Sequence, residues 1–214
     1  MPKLGAVVMV IVVAACLGGS GTALAKKPPR PRAPGGLVPQ TGQTTPFVAG
    51  DDGELQEGVL FPSPRFTDEG DGTVRDNLTG LIWLKNALCF SGRAWALAVS
   101  TANGLASGQC ALADGSVAGD WRLPNVRELH TLIDFGFFGP ALSDAAGTTQ
   151  WTDGDVFLNV RSSEYWSSTT YAGSPDDSAW SVDLGSGNAT VHPKADGGLV
   201  WAVRGPTQGR RGGR

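Results

Sequence analysis

Histidine, cysteine and tyrosine are scarce in this chain, with two, three and two residues among 214. So few imidazoles and thiols exclude a histidine-rich metal centre. No His-Glu-x-x-His zinc motif, Gly-x-Ser-x-Gly nucleophile elbow or phosphate-cradling glycine loop occurs either. Long apolar runs are equally scarce: the single one, Leu4 to Leu17, has 14 residues, short of the roughly 20 a bilayer-spanning helix needs. Positive charge is missing where a domain that binds nucleic acid would carry it. Between Val59 and Pro206, nine Lys and Arg stand against sixteen Asp and Glu, a balance of -7. Nucleic acid is therefore not an expected partner.

The apolar run follows Lys3 and precedes the small-residue stretch GGSGTALA, the pattern of a secretory signal. Two processing routes are open. Ala23-Leu24-Ala25 is an A-x-A site that would release the chain before Lys26, giving a signal peptide over 1–25. Val13-Ala14-Ala15-Cys16 has the form of a bacterial lipobox that would lipidate Cys16. Either route carries the mature chain out of the cytoplasm to the periplasm, cell surface or medium, and any membrane attachment is expected only through a lipid at Cys16. In an oxidising compartment the remaining cysteines, Cys89 and Cys110, are expected to form a disulfide. Residues 26–58 are rich in Pro, Gly, Gln and Thr without apolar periodicity, and are expected to be a flexible linker. Residues 207–214 form a short basic tail.

The folded part is expected over 59–206. Arg65-Phe66, Asp71-Gly72 and Thr73-Val74 predict a hairpin with a D-G turn. Its aspartates Asp68, Asp71 and Asp76 serve turn chemistry or, in the alternative, a calcium ion, the one cofactor the residues leave open. Ala94, Leu97, Ala98, Thr101, Ala102 and Leu105 recur at helical spacing and predict a helix ending near Gly104 to Gly108. A second helix follows Pro124, with Asn125 as N-cap and Glu128 three residues on, and with Val126, Leu129, Leu132 and Ile133 on its buried face. SEYWSSTTY, SAWSVDLGSGNATVHPK and LVWAVRG read as strands, with Trp180, Val182 and Leu184 alternating with polar residues. Strand pair, helices and then strands predict an α+β fold, two helices packed on antiparallel sheets.

The motifs RFTDEGDGTVRDNLTGLIWLKN, DWRLPNVREL, YWSST, AWSVDLGSG and VRG, in this order from about Arg65 to Gly205, resemble the Lcl C-terminal domain family. That resemblance implies a C-type-lectin-like fold with long loops on exported bacterial proteins, among them an adhesin associated with sulfated polysaccharides. The acidic balance disfavours a polyanion on the domain itself. Arg122-Leu123-Pro124 before a helix is also similar to sulfatase-modifying and formylglycine-generating domains, so an enzyme of that group is an alternative. Those enzymes work through cysteines near the C-terminal end, and no cysteine follows Cys110.

Within DWRLPNVREL, Trp121 and Leu123 are expected to pack, Pro124, Asn125 and Glu128 to start the helix, and Asp120 and Arg122 to form buried or partly buried charge pairs. Trp83, Trp121, Trp166, Trp180 and Trp201 are expected mostly in the core. Trp151, with Asp153 and Asp155 in a Gly- and Asp-rich loop, is either an exposed platform for a sugar or peptide or an anchor for that loop. Tyr171 with Asp176 and Asp177 forms a second candidate patch. His130 and His192 are expected to be structural or solvated. No nucleophile, base and orienting group stand together in the sequence. The expected function is a non-enzymatic binding or adhesion module recognising an envelope or extracellular glycan or protein. A structural envelope protein without a small ligand is the third reading.

Overall fold

A computed structural model describes residues 38–205. The signal segment 1–25, Cys16 with its lipobox, the start of the linker and the basic tail 207–214 lie outside the described residues. The fold is α+β, with two mostly antiparallel sheets and three short helices. Among the described residues, no helix is long and apolar enough to cross a membrane.

The first sheet begins with the expected hairpin. Strands β1 (Phe66–Asp68) and β2 (Thr73–Asp76) pair antiparallel with Phe66 opposite Asp76. Asp71 makes the turn by accepting from the Thr73 amide at 3.1 Å and the Thr73 hydroxyl at 2.6 Å. Strand β3 (Ile82–Leu84) is buried at every position and continues the sheet, which β9 (Val203–Arg204) closes in the order β1-β2-β3-β9. The second sheet is built from β4 (Phe90–Arg93), β5 (Glu164–Thr170), β6 (Ser178–Asp183), β7 (Ala189–Pro193) and β8 (Gly198–Val200). Its order is β4-β8-β5-β6-β7, with β5 and β8 parallel and all other pairs antiparallel.

LVWAVRG, expected as one closing strand, is two. It leaves the second sheet after Val200 and enters the first at Val203. The residue at the crossing, Trp201, is fully buried where the sheets meet. Its ring meets Trp83 and Phe157 edge-on, at 5.5 and 4.9 Å, and Tyr165 at a tilt, at 5.6 Å. Burial at this junction also raises the Tyr165 phenol to about 12.

Helix α2 (Trp95–Asn103) is capped at Gly104, the near end of the expected range Gly104 to Gly108. It starts only after β4, a strand that the helical pattern obscured, and Leu97, expected on its inner face, is 55% exposed. Ala98 and Ala102 make its buried face, and Leu105 is buried just beyond its end. The Cys89–Cys110 disulfide spans the two flanks of this unit, with Cα atoms 5.7 Å apart and a sequence separation of 21. Closing a loop of that length constrains the unfolded chain by about 3 kcal/mol in the chain-entropy view. Helix α3 (Val126–His130) carries the expected capping box. Asn125 accepts from the Arg127 and Glu128 amides, each at 2.9 Å, and Glu128 accepts from the Asn125 amide at 2.9 Å.

Two expectations are corrected here. Residues 38–58, expected as flexible linker, are folded. Val59 N–H donates to Val38 O, Gln40 N–H to Val59 O and Phe135 N–H to Thr41 O, at 2.8, 3.0 and 2.7 Å. Helix α1 (Asp52–Leu55) is capped by Asp51. Composition misleads because backbone hydrogen bonds, rather than buried side chains, hold this segment; Phe47, Val48, Leu55 and Leu60 stay exposed. Gly42, at φ +90°, lies so close to Asp134 that a Cβ there would collide with the carboxylate. The second correction concerns Asp120, whereas Arg122 forms a partly buried charge pair as expected. Asp120 is exposed and accepts from the Val117 amide at 2.9 Å, as a turn residue does. Arg122 makes a bidentate pair with Glu128, both contacts 2.7 Å, with its side chain 41% exposed. An ion pair so wet contributes about 1 kcal/mol or less, not the 3 to 5 kcal/mol of a buried one.

Candidate functional site

Helix α3 packs on the outer part of the second sheet, on the face that carries Trp180 and Val182. Beside it runs an open groove of about 620 Å³ with three walls. Val126, Arg127, His130 and Thr131 come from α3 and its C-cap, and Ile133 and Phe135 from the turn that follows. Trp180 and Ala189 come from β6 and β7, and Val38, Pro39, Gln40, Thr41 and Phe61 from the N-terminal segment. Each wall has a local cause. The capping box fixes the direction of α3, the alternation of β6 turns Trp180 outward while Ala179 and Ser181 are buried on the other face, and the Phe135–Thr41 hydrogen bond seats the N-terminal segment. The β6–β7 turn closes one end. A Cβ at Gly187 would stand 2.7 Å from Ile133 Cγ2, so only glycine lets the turn approach this closely.

The polar atoms around the groove are largely engaged with the protein. Gln40 Nε2 donates to Gln56 O, and Thr41 Oγ1 to the Asp52 carboxylate. Thr131 Oγ1 donates to Glu128 O at 2.7 Å, and His130 Nε2 lies 3.1 Å from Gly187 O, with its ring 5.6 Å from Phe135. Behind the wall, burial raises the Asp134 carboxyl above its usual range, opposed by the Gly136 amide and the Arg65 charge. On α3, burial pushes the Glu128 carboxyl up, but the hydrogen bonds from Arg122 and Asn125 outweigh it and hold it below the usual range.

The residues singled out from sequence fall elsewhere, with one exception. Trp151 is not an exposed platform: it is 7% exposed, its indole donates to Phe157 O at 3.3 Å and its amide to Leu142 O at 2.8 Å. It anchors the loop, which was the alternative reading. Asp153 accepts from the Asn159 amide at 2.7 Å and Asp155 from the Ala145 amide at 3.1 Å, so both carboxylates organise the same loop. Asp176 and Asp177 are exposed. Tyr171 is the exception, because its ring meets Trp180 edge-on at 5.8 Å and so adjoins the groove.

The aspartates of the first hairpin do not converge on a cation. Asp68 pairs with Lys85 at 2.5 Å, Asp71 caps its turn, and Asp76 is buried against Arg65. Among the described residues, no three His, Cys, Asp or Glu side chains come together in a way that could hold a metal.

A smaller cavity, about 120 Å³, lies on the opposite face of the second sheet, between Glu164, Trp166, Ser181 and His192. Serine, histidine and carboxylate meet there, yet not in hydrolase order. Ser181 donates to Glu164 at 2.6 Å and Thr190 to the same carboxylate at 3.0 Å, while His192 stands 3.6 Å from Glu164. The hydroxyl of a nucleophile would face its base; here it is committed to the acid.

Sequence reasoning missed the groove because its walls come from three distant stretches. One signal was available: Trp180 faces the same side of its strand as Val182, next to a capped helix whose Arg127 and His130 interrupt the apolar spacing. A model of the Lcl C-terminal domain family matches residues 72–204. The match begins inside the first hairpin, after the N-terminal wall of the groove. No curated protein matches the chain.

Proposed function

This chain belongs to the Lcl C-terminal domain family, and from that premise we propose that it is an exported, non-enzymatic binding module of the bacterial envelope whose ligand lies in the groove beside α3. The observation that carries this reading is the groove itself: about 620 Å³, open, walled by Phe61, Val126, Ile133, Phe135 and Trp180. Ligand sites have this size and this apolar lining. Export rests on the signal-like N-terminus.

Of the two ligand classes open from sequence, glycan and protein, the lining supports protein. A sugar buries hydroxyls that each need a partner, whereas Gln40, Thr41, His130 and Thr131 each already commit a polar atom within the protein. Apolar side chains of a peptide ask for no such partners.

Peptide and glycan arrays probed with the full chain test this reading, with Trp180→Ala and Ala189→Arg as controls. Ala189 is exposed on an edge strand, so its arginine variant fills the groove without disturbing the core. Peptide binding is expected to fall at least tenfold in both variants at unchanged melting temperature. Glycan binding that survives both variants, with no peptide bound, would overturn the reading.

A further inference from the structure

We infer that the ligand of the groove is an extended peptide segment carrying apolar side chains and one carboxylate, with Arg127 as the residue that takes the carboxylate. The inference rests on the groove being the ligand site. It starts from the inventory of polar groups: the amide, hydroxyl and imidazole side chains of the lining are engaged within the protein. Arg127 differs. It is exposed at the rim, and its guanidinium has neither ion pair nor hydrogen bond among the described residues. No Asp or Glu lines the groove beside it, although acidic residues outnumber basic ones in the domain. An apolar trough with one uncommitted cation complements an apolar ligand with one anionic group. A planar guanidinium meets a carboxylate through two parallel hydrogen bonds.

The sheet edge points to a peptide as the bearer of that group. Ala189 lines the groove and begins β7, which is the outermost strand of its sheet and pairs only with β6. An edge strand presents backbone donors and acceptors to an added strand. An extended peptide can use that edge while every second side chain turns into the trough. A fatty acid would supply the apolar body and the carboxylate but would leave the edge unused.

The test measures fluorescence anisotropy of labelled, C-terminally amidated hexapeptides against the full chain. The peptides combine Val, Leu, Ile and Phe with a single Glu, Gln or Lys placed at each position in turn, and labelled laurate and a labelled neutral oligosaccharide are titrated in the same way. The best Glu peptides are expected to bind about twofold to fivefold tighter than their Gln counterparts, as an ion pair at an exposed rim, worth about 1 kcal/mol or less, implies. Arg127→Ala is expected to erase that difference, and R127E to favour the Lys peptides. Arg127 has no partner to lose among the described residues, so equal melting temperatures are expected.

Equal binding of Glu and Gln peptides, or a Glu preference that persists in Arg127→Ala, would overturn the role of Arg127. If Ala189→Arg still abolishes binding in that case, the groove reading stands. Binding of laurate or the oligosaccharide without any peptide would overturn the peptide class. If nothing binds, the proposed function fails with it.

Discussion

Asp76→Ala is expected to lower the stability of the fold by about 3 to 5 kcal/mol, the cost of leaving a buried charge without its partner. The Arg65 and Asp76 side chains are 1% and 0% exposed and form a direct ion pair. Arg65 also donates to Thr131 O at 2.7 Å, and its guanidinium sits 4.5 Å from the Phe66 ring centroid and 4.9 Å from that of Phe61. Burial lowers the Arg65 pKa, and the Asp76 charge opposes that shift. Asp76 additionally accepts from the Leu78 amide at 2.8 Å and the Thr79 hydroxyl at 2.6 Å, so its loss strands several donors at once. Denaturant unfolding at neutral pH measures the loss as a fall in midpoint at constant slope. The double variant Arg65→Met with Asp76→Leu should cost less than Asp76→Ala alone, because no charge is left behind. A change below 1 kcal/mol in Asp76→Ala would show that water reaches Arg65. The pair also joins the first hairpin to Thr131, beside the groove, so its loss should loosen that wall before the far sheet.

Trp201→Ala is expected to cost about 3 to 5 kcal/mol, as large-to-small changes of buried aromatics do. Trp201 stands where the chain passes from one sheet to the other, its ring among Trp83, Phe157 and Tyr165 and its indole donating to Leu84 O at 2.7 Å. Removing it opens a cavity shared by both sheets and frees a buried carbonyl. Trp201→Phe keeps most of the volume and loses the hydrogen bond, so it should cost about half as much. Near-ultraviolet circular dichroism and thermal melting of the two variants provide the comparison. Equal, small effects would mean that the sheets do not depend on this junction.

Local chemistry made much of the fold legible. Asn125 and Glu128, three apart after Pro124, specify a capping box without help from the rest of the chain, and Asp71-Gly72 specifies a turn. The expectation of export singled out Cys89 and Cys110, which form the disulfide. What escaped depends on contacts distant in sequence. Nothing local in LVWAVRG reveals that Trp201 lies between two sheets, nor that β8 lies parallel to β5. Residues 38–58 look like a linker because their order comes from hydrogen bonds to Val59 and Phe135 rather than from apolar periodicity. Its Gly and Asp neighbours left Trp151 open as a surface platform or a loop anchor; those aspartates bind loop amides and the indole is buried, which makes it the anchor. The groove escaped for the same reason, since Thr41, Arg127 and Trp180 lie more than 50 residues apart in sequence and meet only through the fold.

The groove can be located directly by titrating the isotope-labelled full chain with the tightest peptide from the array and following backbone amide shifts by nuclear magnetic resonance. The expected result is a set of saturating shifts at Gln40, Thr41, Val126, Arg127, His130, Ile133 and Ala189, with the Trp180 indole moving alongside. Saturating shifts confined to residues 151–155 or to Asp176 and Asp177, with α3 unmoved, would contradict the assignment of the site.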